Sequence, residues 1–92
     1  MEVVWTETAL ETFFQVIDYL ADYWTFNEVH LFDNNVEELI NRIVYHNHIC
    51  PEAKLFGYHK CVVDSQNLLI YHIINHKLLI VTFVDSRSQH SY

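Results

Sequence analysis

Three apolar runs in the second half of this 92-residue chain constrain its fold more than any other feature. They span residues 55–63, 68–74 and 78–84, and they are rich in β-branched and aromatic side chains. The polar segments 64–67 and 75–77 separate them. A parallel connection needs a crossover of about a dozen residues or more, so these gaps predict hairpins. The sequence therefore predicts a three-stranded antiparallel meander.

The second run carries apolar side chains on both faces of its predicted strand. Residues on one face alternate with those on the other, because successive side chains of a strand point in opposite directions. Helices of the same chain can bury one face, and the other needs cover from a partner or from the ends of the chain. The two sets are Leu69, Tyr71 and Ile73, and Leu68, Ile70, His72 and Ile74.

The first half predicts one short strand and one helix. Residues 2–5 are apolar enough for a strand, and Thr6 and Thr8 are both candidate N-caps for the helix that follows. Thr8 also completes a capping box with Glu11. An apolar stripe at spacings of three and four then predicts about five helical turns; it consists of Leu10, Phe13, Ile17, Leu20 and Trp24.

A second capping box, Thr25 to Glu28, predicts that a new helix starts directly after Trp24. Residues 33–35 are poor helix formers and allow a break, but we favour one continuous helix to about His46. Two antiparallel helices on the sheet follow from this arrangement. The predicted fold class is α+β in the order β-α-α-β-β-β. A helical hairpin packs on one face of a small, mainly antiparallel four-stranded sheet.

Length and charge predict a single domain over residues 1–92, with no linker or apolar segment long enough for a membrane span. The net charge of −7 is uneven: residues 1–46 hold nine acids and one base, and residues 47–92 hold three acids and four bases. This field repels nucleic acid at long range, so any such contact must be local and on the sheet. We expect a cytoplasmic protein, with Cys50 and Cys61 as free buried thiols.

The chain resembles the RelE/ParE superfamily of toxins from type II toxin–antitoxin modules, which includes plasmid stabilisation proteins. The resemblance extends over essentially the whole chain, and no single motif is diagnostic. The residues that carry it are Val3 to Thr6, Ala9, Asp18 to Leu20, Tyr23, Trp24, Pro51, Gly57, His59, Lys60, Leu69 to Tyr71 and Phe83 to Arg87.

The resemblance implies a bacterial toxin that a cognate antitoxin neutralises. ParE-like members inhibit DNA gyrase and need no active site, whereas RelE-like members cut messenger RNA on the ribosome. A degenerate copy that only binds a partner is a third interpretation. The chain can also form a homodimer or a toxin–antitoxin hetero-oligomer, and the sequence does not choose between them.

RNA cleavage by a 2′-hydroxyl needs a base, cations for the phosphate and an acid for the leaving oxygen. The catalytic candidates for a RelE-like toxin are Lys60, Arg87, His90 and Tyr92, with Glu52 as a remote base. Lys60, Tyr71 and Arg87 are the candidates for partner binding. RNA-cleaving relatives commonly carry two arginines on the second strand, where this chain has Cys61 and Val62. This difference, with the acidic balance, favours the ParE-like interpretation.

Histidines and cysteines near residues 46–61 have the residue types of a zinc site, but their spacing matches no familiar ligand pattern. We interpret them as packing or surface residues, and we predict no metal and no cofactor. The residues concerned are His46, His48, Cys50, His59 and Cys61.

Overall fold

The computed structural model describes all 92 residues and contains four strands and two helices. The chain begins with β1 (Glu2–Trp5), followed by the helices α1 (Glu7–Tyr23) and α2 (Phe26–Tyr45). It continues with β2 (Tyr58–Val62), β3 (Asn67–Ile74) and β4 (Lys77–Asp85). The predicted order β-α-α-β-β-β is confirmed, and α2 is continuous through residues 33–35.

The four strands form one sheet in the order β1-β4-β3-β2. β2 pairs antiparallel with β3, and β3 pairs antiparallel with β4, as the meander predicts. β1 lies parallel to β4, because the helical hairpin carries the chain back over the sheet before the meander begins. Val81 has no partner on β3 and forms a bulge, since Ile70 pairs with Thr82 while Tyr71 pairs with Ile80.

Thr6 fixes the start of α1 and ties that helix to the sheet. Its hydroxyl oxygen accepts a hydrogen bond from the N–H of Ala9 at 2.9 Å, and the hydroxyl donates to the carbonyl of Val81 at 2.7 Å. Of the two candidate N-caps, Thr6 is therefore the one used, and Thr8 lies inside the helix. The predicted capping box of Thr8 with Glu11 was therefore wrong. The cap at Thr6 is favoured because its hydroxyl also satisfies the carbonyl of Val81 in the bulge.

The capping interaction predicted for α2 is present. The carboxylate of Glu28 accepts hydrogen bonds from the main-chain N–H of Thr25, at 3.1 Å, and from its hydroxyl. These bonds, the hydroxyl first, lower the pKa of Glu28 below its ordinary value. Neither helix is both long and apolar enough to cross a membrane.

The core lies between the helical hairpin and one face of the sheet. A cluster of aromatic rings lies at its centre. The centroid of the Phe83 ring is 5.7 Å from that of Trp5, 5.8 Å from that of Phe13 and 6.2 Å from that of Phe32. The buried members on the sheet are Cys61, Leu69, Tyr71, Leu78, Ile80 and Phe83, and those on the helices are Ala9, Phe32, Val36, Leu39, Ile40 and Ile43.

The first strand of the meander begins later than the sequence predicts. Residues 55–57 form a turn, and β2 starts at Tyr58 rather than at Leu55. Gly57 has φ of +87°, a conformation that residues with a side chain rarely adopt. The Gly57 carbonyl accepts a 2.6 Å hydrogen bond from Nδ1 of His72, which fixes this turn against β3.

We expect Gly57→Ala to lower the free energy of unfolding by about 1–3 kcal/mol. The positive φ disfavours alanine, and an added Cβ would stand 3.0 Å from Cε1 of His72. Equilibrium urea unfolding measures the change. Ser65→Ala, in the exposed turn between β2 and β3, serves as the control and should change the value by less than about 0.5 kcal/mol. An unchanged Gly57→Ala would contradict the turn geometry.

Cys50 and Cys61 form a disulfide bond, with their Cα atoms 5.3 Å apart. The prediction of free thiols was therefore wrong. Residues 51–53 run beside β2: the Lys60 N–H donates to the Pro51 carbonyl at 3.1 Å, and Glu52 bridges to His59. This local pairing brings the two cysteines into register, which their spacing of 11 residues does not reveal.

Candidate functional site

The face of the sheet turned away from the helices, here called the outer face, carries the main candidate residues. Pairing places Tyr58 opposite His72, and Lys60 opposite Ile70, on this face. Their chain neighbours His59 and Cys61 point to the helices and are buried. Both faces of the meander are apolar, as predicted, and part of the outer face stays exposed, including Val62 at 69%.

The carboxy-terminal tail, residues 86–92, returns across the outer face to β2. Nζ of Lys60 donates a hydrogen bond to the main-chain oxygen of Tyr92 at 3.0 Å. The Tyr92 ring meets the Tyr58 ring edge to face, with centroids 6.1 Å apart. Ile70 beside Lys60 is fully buried without belonging to the helix-side core. The chain therefore supplies part of the outer cover itself.

A polar cavity of about 480 Å³ opens between the tail and β2, and we call it the basic cavity. None of its lining residues is hydrophobic; they are Lys54, Lys60, Ser88, Gln89 and His90. Lys54 was not among the sequence candidates. Its position three residues after Pro51 predicts a place beside Lys60 only once residues 51–53 are known to pair along β2.

The structure brings together three of the four catalytic candidates. Lys60 and His90 line the basic cavity, and Tyr92 contacts both of them. Nδ1 of His90 accepts a hydrogen bond from the Tyr92 N–H at 3.3 Å, so a neutral His90 carries its proton on Nε2. His72 on the same face uses its Nδ1 proton for Gly57, which leaves its Nε2 as an acceptor.

Arg87 is separated from this group and does not face the basic cavity. Its guanidinium contacts the carboxylate of Asp85 through two bonds of 3.1 and 2.9 Å, at a cavity that α1 also lines. Hydrogen bonds from Arg87 lower the pKa of Asp85 to about 2, and the same contact raises the pKa of Arg87. Both charges are exposed, so this pair adds little to stability.

Tyr71 lies in the core rather than on a surface. It is 0% exposed, its ring stacks on His59 at 4.9 Å, and its hydroxyl donates to the Asn47 carbonyl at 2.7 Å. Burial raises the pKa of the phenol above its ordinary value. His59 in turn donates from Nδ1 to the Cys50 carbonyl at 2.8 Å. Tyr71 therefore offers no surface to a partner, and its contacts hold the segment after α2.

Glu52 bridges to His59, whose side chain faces the helices, so Glu52 is not on the face that carries Lys60. Among the histidines and cysteines of residues 46–61, the two thiols are consumed in the disulfide. No group of three or more histidine, cysteine or acidic side chains is placed to hold a metal ion.

The basic cavity is suited to binding an anion, since two ammonium groups and an imidazole surround it. It holds no guanidinium, because the only arginines are Arg42 on α2 and Arg87 beside Asp85. Planar, bidentate recognition of a phosphate is therefore absent from this face. His90 and Tyr92 supply groups that can transfer protons, but they are held by main-chain contacts within the tail.

A second surface, the helix groove, lies between α1 and α2. Its volume is about 500 Å³, and its apolar walls include Trp5, Leu10, Phe13 and Phe14, with Asp33 and Glu37 at the rim. Leu10, a member of the predicted apolar stripe of α1, is 45% exposed, and Phe14 in the same groove is 54% exposed. These apolar side chains are therefore only partly covered by the rest of the chain.

No family model matches this sequence, and no curated protein matches it either. A solved structure matches the fold: a YoeB/ParE toxin from Agrobacterium tumefaciens superposes with a TM-score of 0.67 at 11% sequence identity. The match covers 92% of this chain and 98% of the other. The chain therefore shares its fold with a YoeB/ParE toxin, which agrees with the fold that the resemblance implied.

Proposed function

We propose that this protein is the toxin of a type II toxin–antitoxin module, that it acts in the bacterial cytoplasm, and that a cognate antitoxin neutralises it. The observation that carries the proposal is the likeness of fold to a YoeB/ParE toxin over 92% of this chain. Two apolar surfaces, the helix groove and the exposed part of the outer face, support it, because a partner that wraps the toxin would bury both.

The proposed mechanism is ParE-like inhibition of DNA gyrase by protein–protein contact. The outer face has two cations near each other, Lys54 and Lys60, and Lys60 already contacts the tail. A crowded phosphate in cleavage needs more positive charge than this, and the net charge of −7 opposes RNA approach. Binding of a protein target does not need these groups.

RelE-like cleavage of messenger RNA on the ribosome is the second candidate. The grouping of Lys60, His90 and Tyr92 at one cavity favours it, because cleavage needs a cation and proton-transfer groups together. Arg87 is not part of that group and would contribute only to partner binding.

The deciding experiment is inducible expression in a bacterial host, with growth, DNA supercoiling and message integrity followed in parallel. We expect growth arrest with gyrase-linked DNA damage and intact messages. Messages cut at the ribosome would instead establish the RelE-like candidate. Absence of arrest, with a small partner still tightly bound, would identify a non-toxic interaction domain.

His90→Ala separates the two mechanisms at a single residue. Under gyrase inhibition we expect arrest within about twofold of the parent chain, because no proton transfer is involved. Under RNA cleavage, loss of a general acid or base would reduce activity by about 10²- to 10⁴-fold. Gln89→Ala, its neighbour at the same cavity, is the matched control, and the induction level that halves growth rate is the measurement.

We propose that the helix groove binds an apolar segment of the antitoxin that also carries basic residues. The groove is apolar inside and acidic at its rim, and residues 1–46 hold nine acids against Arg42 alone. Burial of apolar side chains would provide affinity, and the acidic rim would select and orient a basic segment.

Phe14→Glu should weaken antitoxin binding at least tenfold, because it places a charge in the apolar wall of the groove. The control is Tyr45→Glu, which adds the same charge at a residue 91% exposed on α2 and outside the groove. Titration calorimetry with the protein encoded beside this gene gives both affinities. Equal affinities for the two variants would place the antitoxin elsewhere.

A further inference from the structure

The disulfide joins a half-buried residue to a buried one, so its two ends differ in exposure. Cys61 is 1% exposed, whereas Cys50 is half-buried and lies between the exposed residues Ile49 and Pro51. Cys50 also packs against the core, but it is the more exposed of the two residues, so it is the end that we expect a small thiol to attack. Thiol–disulfide exchange depends on such access as much as on the thiol's nucleophilicity.

The disulfide closes a ring of residues 50–61 that contains both lysines of the basic cavity. Lys60 is fixed in β2, but Lys54 lies in the connecting segment 51–57. That segment has almost no apolar anchorage, since Phe56 is 92% exposed and Leu55 is also exposed. The bond at Cys50 is therefore the strongest link that holds Lys54 beside Lys60.

The remaining links of this segment are single hydrogen bonds at an open edge. They run from the Lys60 N–H to the Pro51 carbonyl, from the Ala53 N–H to the Tyr58 carbonyl, from the Tyr58 N–H to the Leu55 carbonyl and from His72 to the Gly57 carbonyl. Water competes for bonds of this kind, so each contributes little by itself. The core does not depend on the segment, because Cys61 packs from β2 and the other core residues lie outside it.

We propose that the Cys50–Cys61 disulfide is a site of reversible exchange with low-molecular-weight thiols, and that its reduction releases segment 51–57 while the domain stays folded. A thiolate attacks the Cys50 sulfur, forming a mixed disulfide and expelling the Cys61 thiolate. A second thiolate attacks the mixed disulfide, so two thiols become one disulfide and the protein gains two thiols. A low-molecular-weight disulfide such as oxidised glutathione reverses both steps.

This proposal stands apart from the toxin function, because it concerns the bond and the segment and needs no target. Its consequence for the basic cavity is that the oxidised protein holds Lys54 in place and the reduced protein does not. A chain with no growth effect at all would still show the exchange.

The first measurement uses the full chain in glutathione buffers that run from fully oxidised to fully reduced, with alkylation and mass spectrometry to count thiols. We expect the bond to pass reversibly from closed to open within this range, with far-ultraviolet circular dichroism unchanged. A bond that stays closed in reduced glutathione, or opens only as the domain unfolds, would overturn the proposal.

Short trypsin pulses then test the release of the segment, using initial rates of cleavage at two bonds. We expect cleavage after Lys54 to accelerate at least tenfold on reduction, while the bond after Arg42 in α2 stays intact during the pulse. Cleavage after Lys54 at an unchanged rate would mean that the hydrogen bonds alone hold the segment. Cleavage at both bonds with one common rate would mean global unfolding. Either result would refute the proposed release.

The double variant Cys50→Ser/Cys61→Ala is the matched control, with alanine at the buried end. It should be cleaved after Lys54 at the fast rate in both oxidised and reduced buffer. Dependence of its rate on the buffer would show that the redox effect arises outside this cysteine pair.

Discussion

Phe83→Ala should lower the free energy of unfolding by about 3–5 kcal/mol, a large fraction of the roughly 5–15 kcal/mol that stabilises a domain of this kind. Phe83 is 4% exposed and contacts rings from β1, α1 and α2 at once. Truncation therefore leaves a cavity that three different elements would have to move to fill. We expect an expressed protein with a shallow or absent unfolding transition in urea.

Phe83→Leu and Val62→Ala are the comparisons for this result. Leucine refills part of the volume and should recover about half of the loss, since aromatic contacts contribute only about 0.5–1.5 kcal/mol beyond area burial. Val62 is 69% exposed on β2, and its truncation should change stability by less than about 0.5 kcal/mol. A Phe83→Ala loss no larger than that of Val62→Ala would contradict the central position of the aromatic group.

The order and type of the elements followed from sequence because the signals that separate one element from the next are local. The gaps at residues 64–67 and 75–77 excluded a parallel meander, and the Thr25 to Glu28 capping box separated two helices without any linker. These signals act over a few residues. Their outcome does not depend on the rest of the fold.

What the sequence missed depends on contacts between distant residues. The disulfide requires residues 51–53 to pair beside β2, and nothing in a spacing of 11 residues predicts that pairing. The choice of Thr6 over Thr8 depends on the bulge at Val81, 75 residues away. Local capping rules give both threonines similar weight.

The residue types of the candidate site came from sequence, but their grouping did not. Lys60 was a candidate as a cation on the second strand; in the structure it lies on the outer face, and the tail brings His90 and Tyr92 to it. Arg87 was grouped with them because RNA cleavage needs cations, but Asp85 two residues earlier binds its guanidinium beside a cavity that α1 lines. Sequence identifies residue types. The direction of an exposed side chain, as with Arg87, depends on which group it binds in the folded chain.

Tyr71 gives the other large effect, and it separates a core residue from a binding residue. Tyr71→Ala should lower the free energy of unfolding by about 3–5 kcal/mol, because the ring is fully buried against His59. Tyr71→Phe keeps the ring and loses only the hydrogen bond to the Asn47 carbonyl, so we expect a loss of about 0.5–1.5 kcal/mol. Urea unfolding measures both changes.

Affinity for the proposed antitoxin is the second measurement on the same pair of variants. Because Tyr71 presents no surface, Tyr71→Phe should bind the antitoxin within about twofold of the parent chain, and any defect of Tyr71→Ala should follow its unfolded fraction. A loss of tenfold or more in Tyr71→Phe, with stability nearly intact, would mean that the antitoxin reaches the phenol by displacing the segment after α2. In that case Tyr71 would be a contact residue in the complex although it is a core residue in the free protein.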